Sequence, residues 1–337
     1  MKVAGICFAA ALAALVAAPP GPLGSAWAQK QVVVYSANEN TLDALVYEAF
    51  EKATSIKVNG VSGGSGVLVK RIQTEKDRPG GDIIWGVSRS LLESNKEFFT
   101  PYKSKNVSAI PAEFRDPNDL WIGNNLHILV ILQNTKALPA DQGPKSWNDL
   151  LDPKFKGKIA FTDPANSGSA YTNATLLAQM WGGNDAAWKK VEQFFANAKV
   201  LNRSSLVFQG VGNGEYALGV SLEYAGYLWS SNGAPVKVIY PSDGTAAQME
   251  GCAIIKGGPN TESAKAFVDF INQKDTRELI LSKTFRRPAR QDLDLSKLPG
   301  NMPGLQAIKI SKYDEEAWTK ARPETMQKLQ DIIAKTR

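Results

Sequence analysis

Four short turns combine serine, glycine and asparagine in a way that suits an anion: Ser36-Ala37-Asn38-Glu39-Asn40, Ser62-Gly63-Gly64-Ser65-Gly66, Gly86-Val87-Ser88 and Asn166-Ser167-Gly168-Ser169. Such turns place hydroxyls and unpaired backbone N–H groups at a helix N-terminus, where the helix dipole also favours negative charge. Glycine lets the backbone come close to a ligand. Any single turn of this kind reads first as an ordinary N-cap. Four of them at the C-terminal ends of strands coincide with the place where open α/β sheets bind ligands. The chemistry on offer is noncovalent recognition of phosphate or carboxylate.

Covalent and metal chemistry find less support. The Ser62–Gly66 turn lacks the Gly-Lys-Ser/Thr ending of a nucleotide loop, and its spacing is not that of a dinucleotide fingerprint. No Gly-x-Ser-x-Gly elbow occurs in strand-turn-helix context. His127 is the only histidine, and Cys252 is the only cysteine besides Cys7. That excludes His-based zinc clusters and weakens triad hydrolases. His127 is expected in a core strand and Cys252 as a buried structural thiol. The reading assigns no catalytic residue, no metal ligand and no cofactor.

The elements that must position these turns alternate between strand and helix. Strands are expected at 31–35, 56–61, 83–85, 126–133, 159–161, 216–221, 236–240 and 253–255. Helices are expected near 41–53, 67–75, 170–181, 185–198, 262–272 and 275–281, with a last one over 313–334 broken or kinked at Pro323. Alternation of this kind predicts α/β architecture, with mainly parallel sheets flanked by helices.

The N-terminus reads as an export signal over residues 1–28. Lys2 supplies the positive start, Val3 to Ala18 the apolar run, and Ala26-Trp27-Ala28 the cleavage site ahead of Gln29. Cys7 sits too early to be a lipid attachment site. The remaining length is enough for two lobes with sizeable cores. No later run is long and apolar enough to span a bilayer. The net charge of +6 is mild for 337 residues and scattered. That gives no concentrated basic face for nucleic acid, yet it suits drawing an anion to a cleft.

Taken in order, the export signal, Val-Val-Val-Tyr-Ser-Ala (32–37), Ser-Gly-Gly-Ser-Gly (62–66), Gly-Asp-Ile-Ile-Trp (81–85), Asp-Pro-Ala-Asn-Ser-Gly-Ser-Ala-Tyr-Thr (163–172), Leu-Glu-Tyr-Ala (222–225) and Arg-Arg-Pro (286–288) resemble a bacterial extracellular solute-binding protein of an ABC importer. The branch it is similar to holds ferric-ion binders and binders of phosphorylated sugars and 2-aminoethylphosphonate. The resemblance covers nearly the whole mature chain. It implies the type II periplasmic-binding fold, with lobe 1 formed by 29–125 and 246–337 and lobe 2 by 126–245, joined by two crossovers near Gly123–Ile128 and Asp243–Ala253.

The resemblance also implies a site. Ser167, Gly168 and Ser169, with Thr172, would offer donors to an anion from lobe 2. Ser36, Asn38, Ser65, Gly66 and Ser88 are the candidates from lobe 1. Arg203 could neutralise a phosphate or be a plain surface charge, and Asn202, Ser204 and Asp243 are weaker candidates. Ferric binders of this branch carry adjacent tyrosines where this chain reads Glu223-Tyr224. With one phenol replaced by a carboxylate, Glu223 and Tyr224 are expected to read the ammonium or hydroxyl end of an organic solute.

The expectation is a monomeric periplasmic receptor for a small phosphorylated or phosphonate anion, handing it to an inner-membrane permease. Ferric iron with a synergistic anion is the alternative, and an exported phosphate-ester hydrolase ranks below both.

Overall fold

The computed structural model describes residues 30–336. The expected export signal, its cleavage site and Cys7 lie outside these residues. In chain order the elements are β1 (Gln31–Ser36), α1 (Asn40–Thr54), β2 (Lys57–Ser62), α2 (Ser65–Thr74), β3 (Ile83–Ser88), α3 (Arg89–Glu93), β4 (Phe99–Thr100), β5 (Ile122–Asn134), β6 (Ile159–Thr162), α4 (Gly168–Met180) and α5 (Asp185–Asn197). There follow β7 (Ala198–Leu201), α6 (Ser204–Asn213), β8 (Leu218–Leu222), α7 (Glu223–Ser231), β9 (Val236–Ile239), β10 (Ala247–Ile255), α8 (Thr261–Ile271), α9 (Lys274–Thr284), β11 (Arg287–Pro288), α10 (Glu315–Lys320) and α11 (Arg322–Thr336).

The strand order is β2-β1-β3-β10-β5-β8-β6-β7. Parallel strands make the outer part of each half: β1 with β2 and β3, and β6 with β7 and β8. Between them run β10 and β5, antiparallel to each other. β5 serves both halves. Its first part, from Ile122 to Ile128, pairs with β10, and from Leu129 onward it pairs with β8 and β9. The two crossing segments are therefore the middle of β5 and the start of β10.

Local sequence explains the elements next to the cleft. In α1, Leu42, Val46 and Phe50 recur at helical spacing and are buried beneath the sheet. The strands β3 and β8 are buried along their whole length, as expected where both faces are covered. α4 starts where Ser167 accepts a hydrogen bond from the Ala170 N–H at 3.3 Å, an N-cap.

The first lobe has one apolar cluster on each face of its sheet. Phe50, Trp85 and Phe267 meet on one face, and Leu68, Leu92 and Met249 on the other. The second lobe buries Trp147, Phe161, Phe194 and Phe195 together. The C-terminal tail departs from the expected boundary. Residues 246–337 do not all belong to the first lobe, because Leu329, Ile332 and Ile333 of α11 join the second cluster. The Tyr171 hydroxyl of α4 donates to the Trp318 carbonyl at 2.7 Å. The apolar residues of α11 complete the second core.

Candidate functional site

A cavity of about 440 Å³ lies between the two halves. That volume falls in the range of small-molecule sites. The N-termini of α2, α4 and α6 converge on it, since each helix follows a strand whose C-terminal end opens there.

One wall is rich in hydroxyls. Ser167 Oγ lies 3.0 Å from Ser169 Oγ and 2.9 Å from Ser204 Oγ. The Gly168 N–H donates to Ser65 Oγ at 2.8 Å, and the Gly66 N–H donates to the Asn166 carbonyl at 3.3 Å. These last two bonds run directly from one lobe to the other. Ser88 Oγ is buried at the cavity and has no hydrogen-bond partner. Arg203, immediately before α6, lines the same space with an exposed side chain, and among the described residues no ion pair engages it.

The opposite set is a charged network. Arg286 follows Phe285, which closes α9 in a left-handed conformation at φ 59°. Its guanidinium donates to Glu39 and, at 3.1 Å, to Glu250 Oε1. It also lies 3.8 Å over the Tyr224 ring, a cation–π contact. The Tyr224 hydroxyl donates to Glu39 Oε2 at 3.2 Å, and His127 Nε2 stands 3.1 Å from Glu250 Oε2. Burial alone would raise the Glu250 carboxyl, but the charges of His127 and Arg286 outweigh it and hold it at about 2. Burial pushes the Tyr224 phenol well above its ordinary range, with Arg286 opposing. Tyr224 is thus held as a neutral phenol.

The expected site residues separate into three groups. Asn38, Ser65, Ser88, Ser167, Ser169, Arg203 and Tyr224 line the cavity. Gly66 and Gly168 stand at the direct lobe-to-lobe contact, their N–H groups already engaged. Ser36 and Thr172 lie behind the wall. Ser36 Oγ donates to Asp43 at 2.6 Å and accepts from the Asn38 N–H at 3.2 Å, while Thr172 Oγ1 donates to the Gly168 carbonyl at 3.1 Å.

Glu223 departs from its expected role. Arg287 grips its two oxygens at 2.7 and 2.8 Å, and the Tyr240 hydroxyl donates to it as well. Its carboxylate is fully occupied, and it is not among the residues lining the cavity. Asp243 is likewise engaged elsewhere, accepting from the Trp147 N–H at 3.1 Å. The carboxylates at the cavity are Glu39 and Glu250, which sequence reasoning did not single out. Glu39 was in view inside the first Ser/Asn turn, and Arg286 inside the Arg-Arg-Pro segment. Nothing in the sequence marks Glu250 or Gln248, because strand pairing alone brings them to the crevice.

The chain resembles known proteins over most of its length. A family model for bacterial extracellular solute-binding proteins matches residues 81–307. An uncharacterized protein of Haemophilus influenzae is 31% identical over 280 residues, covering 79% of this chain and 80% of the relative. A putative 2-aminoethylphosphonate-binding periplasmic protein of Salmonella typhimurium is 26% identical over 287 residues, covering 79% and 81%. Among solved structures, the periplasmic binding protein AfuA of Actinobacillus pleuropneumoniae, with fructose 6-phosphate bound, superposes with a TM-score of 0.83 at 27% identity, covering 91% of this chain and 99% of that one.

Proposed function

Because this chain belongs to the bacterial extracellular solute-binding protein family, we propose that it is the periplasmic receptor of an ABC importer for a small organic phosphate or phosphonate. It is exported by its N-terminal signal, holds the anion between its lobes, and presents the closed form to an inner-membrane permease.

The observation that carries this reading is the convergence of three helix N-termini, the linked hydroxyls of Ser167, Ser169 and Ser204, and Arg203 on one cavity wall. Backbone dipoles and hydroxyl donors bind a tetrahedral anion without covalent chemistry, and a guanidinium adds charge and paired donors. Lobe closure then removes water from these bonds and strengthens them. The names of the relatives support the ligand class: one is described as binding 2-aminoethylphosphonate and another is seen with a sugar phosphate. The ferric alternative has one phenol among the residues lining the cavity, Tyr224, where the chain carries Glu223 in place of an adjacent tyrosine.

Calorimetry on ligand-stripped protein tests the proposal. Micromolar or tighter binding of at least one organic phosphate or phosphonate is expected. Silence of all of them at millimolar concentration, with uptake of ferric citrate, contradicts it.

A further inference from the structure

We infer that residues 312–322 of the C-terminal tail form a second bridge between the lobes, and that Arg322 is a positioning residue. It holds α3, and with it Ser88 at the crevice, and so sets solute affinity from outside the cavity.

The segment is fixed to the second lobe along α4. Besides the bond from Tyr171 to the Trp318 carbonyl, Gln179 Nε2 donates to the Lys312 carbonyl at 2.7 Å. Gln179 Oε1 accepts from the Asp314 N–H and from Trp318 Nε1, each at 3.0 Å. The hydroxyls of Thr175 and Tyr313 lie 2.7 Å apart. The other side of the segment meets the first lobe. Arg322 Nη1 donates to Ser90 Oγ at 3.1 Å, and Arg89 Nη1 stands 3.8 Å from Glu315 Oε2.

These two contacts fall on the residues that directly follow the crevice serine. Ser88 is the N-cap residue of α3, and its buried Oγ faces the cavity without a partner. A Cβ on Gly168 of the second lobe would come within 2.3 Å of that Oγ. α3 has only five residues, so a grip on Arg89 and Ser90 is a grip on Ser88.

Stability does not account for Arg322. Its guanidinium lies 4.0 Å over the Tyr171 ring, and burial pulls its pKa below the usual arginine value, with Tyr171 and Tyr313 opposing. Among the described residues no carboxylate pairs with it. A desolvated cation without a counter-charge costs stability. What it does is span the interface: Tyr171 belongs to one lobe and Ser90 to the other. The bond to Ser90 is made when the lobes are together, so its free energy counts towards the closed, solute-holding form.

The test is calorimetry on ligand-stripped protein with 2-aminoethylphosphonate and fructose 6-phosphate, beside denaturant stability. Arg322→Met keeps the apolar stem and is expected to weaken both solutes by the same factor, about fivefold, with stability unchanged or higher. Ser90→Ala is expected to cost a similar factor. The double variant should lose no more than either single one, the mark of a shared bond. Arg322→Lys should restore most of the affinity. Unchanged affinity in Arg322→Met and Ser90→Ala overturns the inference. So does a loss confined to one solute, which would put Arg322 on the solute itself, or a loss of affinity that only tracks lost stability. If Arg322→Met does not fold, Ser90→Ala and Arg322→Lys decide by the same ratios. If both phosphorus compounds are silent, the anion reading falls without touching the bridge, which is then read with ferric citrate. Silence of all three in the wild type overturns both.

Discussion

The Gly168 amide of the second lobe donates a 2.8 Å hydrogen bond to the Ser65 hydroxyl of the first, across 103 positions of sequence. Beside it, the Gly66 N–H reaches the Asn166 carbonyl at 3.3 Å. The approach is so close that a Cβ at Gly64 would run into the Asn166 carbonyl oxygen, and one at Gly66 into that of Ala165. Glycine is required here for proximity, not for an unusual φ. The two lobes therefore touch backbone to backbone next to the cavity.

The first prediction concerns this contact. Ser65→Ala removes the acceptor for the Gly168 N–H and is expected to weaken solute affinity by about fivefold, in line with one lost hydrogen bond. Gly66→Ala is expected to do more, because it holds the lobes apart. Small-angle scattering of the liganded Gly66→Ala protein should show a larger radius of gyration than the wild type. Identical scattering curves and affinities would show that closure does not depend on this contact.

The second concerns Glu223. Its bidentate pair with Arg287 is almost wholly buried, with side-chain exposures of 2% and 3%. Removing one partner of a buried pair costs about 3–5 kcal/mol because the other charge is stranded. Arg287→Ala should therefore lower stability to chemical denaturant by that order, with solute affinity of the folded protein nearly unchanged. A large affinity loss at unchanged stability would instead place Glu223 against the solute.

The third uses pH. Burial raises the Glu315 carboxyl from 4.5 to about 7, with Glu93 adding to the shift and Arg89 opposing it. A carboxyl raised in the folded state binds its proton more readily there than in the unfolded chain. Its ionisation thus lowers stability as pH rises through the window from 4.5 to about 7. Glu315→Gln should remove this slope and be the more stable protein near pH 8 by on the order of 2 kcal/mol. Asp43, raised to about 6 chiefly by burial, slopes the same way in both proteins, so the difference between them is the quantity to measure. Parallel stability curves would contradict the assignment to Glu315.

Arg203 supplies the fourth. Its side chain is exposed and no ion pair engages it among the described residues, so Arg203→Ala should leave thermal stability within about 0.5 kcal/mol. It should weaken binding of the anion roughly tenfold and flatten the salt dependence of affinity. Unchanged affinity would make it a plain surface charge.

Much of the fold could be read from the chain because its strands are short β-branched runs and α1, α5 and α8 carry apolar residues at helical spacing. α6 and α7 escaped that reading. Both follow short strands closely, and their apolar residues, such as Val207, Phe208 and Tyr224, blend into the strand runs beside them. Serine- and glycine-bearing turns announced the hydroxyl wall, since the residues that cap helices also bind anions. The carboxylate floor was not legible. Glu39 and Glu250 meet only because Arg286 arrives from 36 residues beyond Glu250 and draws both to one guanidinium. Glu223 stood where a ligand contact was expected, but Arg287 claims it, and no local pattern distinguishes a paired acid from a free one.

The central claim is that a phosphorus-bearing anion sits between the lobes. Phosphorus-31 NMR reads that atom directly. Titrating ligand-stripped protein into 2-aminoethylphosphonate and, separately, a sugar phosphate should shift and broaden the resonance of at least one of them. The effect should vanish when Ser169 and Ser204 are both replaced by leucine to fill the hydroxyl wall. Resonances that stay sharp and unmoved at equimolar protein, or that respond equally in the blocked variant, contradict the account.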